Sequence, residues 1–89
     1  MNDGIADWRK RIDEIDTEMV KLLNERAASA IEIGKLKKVS GSEIFDPKRE
    51  SFIFDRIRDL NEGPLESDNM VNIFKCIIEE CRSKEARSS

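Results

Sequence analysis

The stretch IADWRKRIDEIDTEMVKLLNERAASAIEIGKLKK, residues 5–38, decides how the rest of the chain is read. Apolar residues recur at Ile5, Trp8, Ile12, Ile15, Met19 and Leu22, and again at Ile33 and Leu36, in steps of three and four. That spacing lines one narrow stripe of a helix, the pattern of a coiled-coil seam. It predicts a single uninterrupted helix over about 5–38. Carried through the gap, the seam meets Arg26 and then the small Ser29 and Ala30, with Lys37 farther on. Arg26 and Lys37 are about three turns apart, so both cations share the seam at a separation of about 16 Å. Cations on a packing face are unfavourable unless something anionic meets them. The first helix therefore reads as a packing element that also receives negative charge.

A helix of that length spans about 50 Å, more than the width of a compact domain of this size. Most of its seam stays wet unless a second chain covers it, so a homodimer is expected. With 89 residues, 39% of them charged, and a net charge of −3, the chain lacks the basic excess of a dedicated nucleic-acid binder. The amino-terminal MNDGIADWRK has no apolar core for a signal peptide, and no apolar run approaches membrane length. Cys76 and Cys81 lie five residues apart on one expected helix, too far apart for a disulfide within it. Two thiols of that kind suit a reducing cytoplasm. The chain has no His and no Tyr. That removes the commonest general base, the commonest zinc ligand and any Ser–His or Cys–His pair. Chemistry here has to work without imidazole.

Asn2 or Asp3 is expected to cap the first helix, and Gly41 is placed for a left-handed turn at its end. Glu14–Glu18, Glu18–Leu22 and Lys21–Glu25 fall at helical spacing and make a polar, partly ion-paired outer face. Asp46 is a good N-cap and Pro47 suits a first turn, so a second helix is expected over about 47–61. Ile53, Ile57 and Leu60 form its buried stripe with Phe54 beside them, and Arg49 stands one turn before Ile53. Asn61-Glu62-Gly63-Pro64 stops it. Ser67 or Asp68 is expected to cap a third helix over about 67–85. Its stripe is Met70, Phe74 and Ile77, widened by Val71, Ile73 and Ile78, and it continues through Cys81 to Glu85. Ala86 to Ser89 are expected to fray. The fold class is all-α, one domain over 1–89 with one long helix and two shorter ones.

Five polar residues break the apolar pattern from inside: Arg26, Lys37, Arg49, Cys81 and Glu85. Each alone has a bland explanation. A seam arginine often pairs with a carboxylate, here Glu50; a cysteine on a stripe fills core; a glutamate near a helix end is solvated. Together, every helix contributes polar chemistry to its own inward face. Three cations against one or two carboxylates leave excess positive charge, which calls for an anionic ligand with more than one acid group.

These residues carry a resemblance. The run Trp8-Arg9-x-x-Ile12-x-x-Ile15-Asp16, then Leu22-Leu23-x-Glu25-Arg26, Ile33-Gly34-Lys35-x-Lys37 and Asp46-x-x-Arg49-Glu50, resembles the all-helical (type II) chorismate mutase family. Phe74-x-x-Ile77-Ile78-Glu79 on the third helix fits the same pattern. The resemblance covers nearly the whole chain and implies three-helix subunits in an intertwined homodimer with paired first helices. It implies that Arg26 holds one substrate carboxylate from the same chain, while Arg9 reaches in from the partner to hold the other. Helical geometry agrees, since Arg9 lies about 25 Å along the helix from Arg26. Lys37 would bind the ether oxygen that gains charge, Glu50 would receive the ring hydroxyl with Asp46 nearby, and Arg49 would support a carboxylate. Cys81 stands where the family often has Ser or Thr, and is a weaker donor. Glu85 stands where the family has Gln or Glu, and must be protonated to donate to the ether oxygen. The implied activity is rearrangement of chorismate to prephenate in aromatic amino acid (Phe/Tyr) biosynthesis, a concerted shift expected to need neither a metal nor a cofactor. An isochorismate-pyruvate lyase of similar fold and a catalytically silent helical dimerisation module are the alternatives. In the silent module, Arg26 and Arg49 are locked in ion pairs to Glu residues. Such domains also occur fused to prephenate dehydratase.

Overall fold

A computed structural model of the protein describes residues 4–88. Three helices run in order, α1 (Ile5–Ser40), α2 (Pro47–Leu60) and α3 (Ser67–Ser88), with no strand among the described residues. The all-α expectation holds. The caps read at Asn2 or Asp3 lie outside the described residues, and the N-cap position of α1 is Gly4, whose φ of 89° needs a residue without a Cβ. Its carbonyl accepts the Trp8 amide at 3.2 Å. At the other end Gly41 adopts φ 74°, and both its N–H and that of Ser42 donate to the Lys37 carbonyl. This is the left-handed stop expected there.

Asp46 caps α2 through its side chain, which accepts the Arg49 amide at 3.1 Å, with Pro47 in the first turn. The start of α3 differs from expectation. Neither Ser67 nor Asp68 is the cap; both are already helical. Glu66 precedes them, its carbonyl accepting the Met70 amide and its own N–H donating to Asn69 Oδ1, each at 3.1 Å. Asn69 thus supplies the return arm of a capping box. The end of α3 differs too, since the helix continues through Ala86 and Arg87 to Ser88 instead of fraying after Glu85. Basic Arg87 in the last turn complements the helix dipole.

α3 packs against both other helices, while α1 and α2 do not pack on each other. Gly34 meets Glu85, and Leu23 and Ala27 lie beside Cys76 and Ile77, so α1 and α3 run in the same sense. The buried apolar core is small: Ile57 from α2, with Val71, Ile78 and Cys81 from α3. Leu60, expected in that core, is exposed at the end of α2. The chain is a rod of 61 × 24 × 15 Å, because α1 outruns anything available to cover it. Along its first half Trp8 is 73% exposed and Leu22 59%. The outer face carries short-range ion pairs, Arg11–Glu14 at 3.6 Å and Glu32–Lys35 at 3.2 Å. Lys21 turns back to Glu18 at 4.0 Å instead of forward to Glu25. No helix among the described residues is long and apolar enough to cross a membrane.

Candidate active site

Because α1 and α2 each lean on α3 but not on one another, a cleft of about 400 Å³ opens between them. α1 supplies Arg26 and Lys37 from its second half, α2 supplies Arg49 and Glu50 from its first turn, and Asp46 comes from the cap before it. α3 supplies Cys81 and Glu85 as the floor. Seven residues singled out by pattern or resemblance thus line one cavity. Arg9 does not join them. It is exposed on the uncovered half of α1.

The deepest polar pair is Lys37 and Glu85. Their side chains are 20% and 11% exposed, and Lys37 Nζ stands 3.0 Å from Glu85 Oε1. Lys37 also donates to the Ile44 carbonyl at 2.8 Å, which ties the α1–α2 loop to the same ammonium. Arg26 is half-buried, and among the described residues its guanidinium has no carboxylate within 4.0 Å. Arg49 likewise forms no ion pair among them; its guanidinium lies over the Phe52 ring, 5.0 Å from the centroid. Cations facing a cavity without carboxylate partners are the feature that an anionic ligand would complete.

A sequence profile described as chorismate mutase type II matches residues 8–86, which covers both faces of this cleft. The chain belongs to that family. It is 40% identical over 80 residues to a chorismate mutase of Methanocaldococcus jannaschii, spanning 89% of this chain and 81% of that protein. It is 42% identical over 77 residues to a bifunctional chorismate mutase/prephenate dehydratase of Neisseria gonorrhoeae. That match takes in 86% of this chain but 21% of the relative, so the chain spans about a fifth of the bifunctional protein's length. A solved chorismate mutase structure from Thermus thermophilus superposes with a TM-score of 0.94 at 31% identity, covering 98% of this chain and 99% of that one.

Two features of this family member's cleft were not legible as site elements. Arg82 lines the cleft beside Cys81, and its Nη1 donates to Glu50 Oε2 at 2.5 Å. Glu50 is therefore the partner of Arg82, not of Arg26 as the seam pattern suggested. A signal did exist, since Arg82 stands one turn beyond Ile78, the same relation that singled out Arg49 before Ile53. The second feature is Gly34. A Cβ there would lie 2.6 Å from the Glu85 carbonyl oxygen and 2.9 Å from Glu85 Cγ. The missing side chain lets α3 approach α1 closely enough for Glu85 to reach Lys37.

Proposed function

We propose that residues 1–89 form one chorismate mutase domain that converts chorismate to prephenate in aromatic amino acid biosynthesis. The observation that carries the reading is the cleft itself: Arg26 and Arg49 without carboxylate partners among the described residues, and Lys37 beside Glu85 at the back. Chorismate is a dicarboxylate whose rearrangement is a concerted intramolecular [3,3] shift. The C–O bond of the ether breaks as a C–C bond forms, with no nucleophile and no external proton balance. A protein has two tasks in such a reaction. It selects the compact reactive conformer, and it stabilises the charge that builds on the ether oxygen.

In this reading Arg26 holds one carboxylate, Arg49 supports a carboxylate, and Glu50 accepts a hydrogen bond from the ring hydroxyl with Asp46 close by. Lys37 meets the ether oxygen as negative charge develops. Glu85 stands next to Lys37, so one acceptor oxygen can meet both heads, provided that Glu85 carries a proton to donate. Glu85→Gln supplies an amide donor at the same position without needing a carboxyl proton, and is expected to keep turnover. A folded Glu85→Gln variant that loses turnover would remove this donor role from Glu85. Cys81 contributes a weak donor at most.

The protein acts as a homodimer, with Arg9 entering from the partner to hold the second carboxylate. The exposed Trp8, Ile12, Ile15, Met19 and Leu22 support this, being one seam that a single chain leaves uncovered. The enzyme belongs in the cytoplasm, where the free thiols of Cys76 and Cys81 stay reduced. A silent dimerisation module fits less well, because its arginines would be locked to glutamates, and Arg26 and Arg49 have no such partners among the described residues.

The test is loss of chorismate absorbance on adding the purified protein, with prephenate confirmed as product and Lys37→Ala beside it. Turnover that falls by about 10²- to 10³-fold in the variant is expected. A folded protein inert toward chorismate but cleaving isochorismate to release pyruvate would replace the mutase with the lyase.

A further inference from the structure

We propose that Arg82 is a positioning residue that sets where Glu50 receives the substrate's ring hydroxyl. The proposal rests on the mutase reading above. Arg82 reaches from α3 across the cleft floor to α2, and its bond to Glu50 is made between side chains only 33% and 22% exposed. Its guanidinium carbon also lies 4.8 Å from the centroid of the Phe45 ring, in the loop that leads into Asp46. One side chain therefore joins all the parts that carry the hydroxyl-binding corner: the α3 floor, the loop and the first turn of α2.

Two consequences follow for the ligand. A glutamate side chain has several rotatable bonds, and ordering it costs conformational entropy. Arg82 orders it before substrate arrives. The contact engages Oε2, which leaves acceptor sites on the other carboxylate oxygen for an incoming hydroxyl. The second consequence concerns charge. Glu50 lines the same cleft as Arg26 and Arg49 and, if unpaired, would compete with substrate for them. Held by Arg82, it can serve as an acceptor without cancelling the cations that the carboxylates need.

The hydroxyl takes no part in the bond that breaks or the bond that forms, so its hydrogen bond is about equally strong in the ground state and the transition state. Interactions of that kind appear in KM and leave kcat nearly unchanged. Arg82→Met keeps an apolar stem against Phe45 and removes the charge; Arg82→Lys keeps the charge. The experiment measures kcat and KM for chorismate in wild type, both Arg82 variants, Glu50→Gln and the double variant Arg82→Met/Glu50→Gln, with a thermal melt of each. Arg82→Met is expected to raise KM about tenfold, with kcat within about threefold of wild type. Arg82→Lys should recover most of the loss, and the double variant should be no worse than Glu50→Gln alone. A merely structural arginine would lower the melting temperature and the active fraction at constant KM. That result, or losses that add in the double variant, overturns the proposal. A wild type inert toward chorismate removes the mutase reading and this role with it, an outcome distinct from the other two.

Discussion

The two halves of α1 carry the same seam and meet different fates. From Ile5 to about Leu22 the seam is Ile, Trp, Met and Leu, and it is exposed; from Arg26 to Lys37 it is interrupted by cations, and Arg26, Ala30 and Lys37 are partly covered while Ile33 and Leu36 stay exposed. In a single chain the cations of the second half are thus more covered than the apolar residues of the first. The proposed function accounts for the difference: another copy completes the bare half, and a ligand completes the cations. Hydrophobic residues show where a protein surface belongs, and cations on the same line show where something smaller belongs.

The largest effect expected from this division is a complementation. Arg9→Ala and Lys37→Ala should each lower kcat/KM by about 10²-fold or more as pure proteins. Mixed and re-equilibrated, half the dimers are hybrid and each has one intact site, so about a quarter of wild-type activity should return. No recovery on mixing would place Arg9 outside the partner's site. Next comes Ile12→Glu, which puts a charge on the bare seam. It should dissociate the dimer in sedimentation at micromolar concentration and take activity with it, and a variant still dimeric would mean that this stripe is not the interface. On the covered half, Gly34→Ala forces a Cβ to within 2.6 Å of the Glu85 carbonyl unless α3 shifts. A cost of about 1–3 kcal/mol in chemical denaturation is expected, with kcat falling because Glu85 and Lys37 move apart. The smallest effect belongs off the seam. Glu18→Ala breaks an ion pair with Lys21 whose members are 70% and 67% exposed, and should change stability by less than about 0.5 kcal/mol.

Local rules made much of the fold readable. Gly41 and Asp46-Pro47 announce a stop and a start through backbone conformation and capping, which depend on near neighbours alone. The α3 start was harder, because Ser67 and Asp68 are the better capping types, yet the cap position falls at Glu66, where Asn69 returns a bond. Within the cleft, cations that interrupt a periodic stripe stand out from the sequence, as Arg26 and Lys37 do. Arg82 does not, since it sits at the stripe's edge and its partner is 32 residues away. The Ile44 carbonyl was also hidden, as every residue carries such an acceptor. Gly34 was visible within a motif, but the reason for a glycine there is a contact between two helices.

The bond from Lys37 to the Ile44 carbonyl has a consequence for how the ammonium is aimed. An ammonium is a rotor with three equivalent protons. The Ile44 carbonyl stops the rotation by taking one, and the Glu85 carboxyl faces the same nitrogen at 3.0 Å. With one proton held by Ile44 and Glu85 beside the nitrogen, the proposed role of Lys37 at the ether oxygen falls to a proton whose orientation is set during folding. The stop belongs to a loop backbone, so lengthening or shortening residues 41–46 by one would turn the rotor while leaving every side chain of the cleft in the sequence.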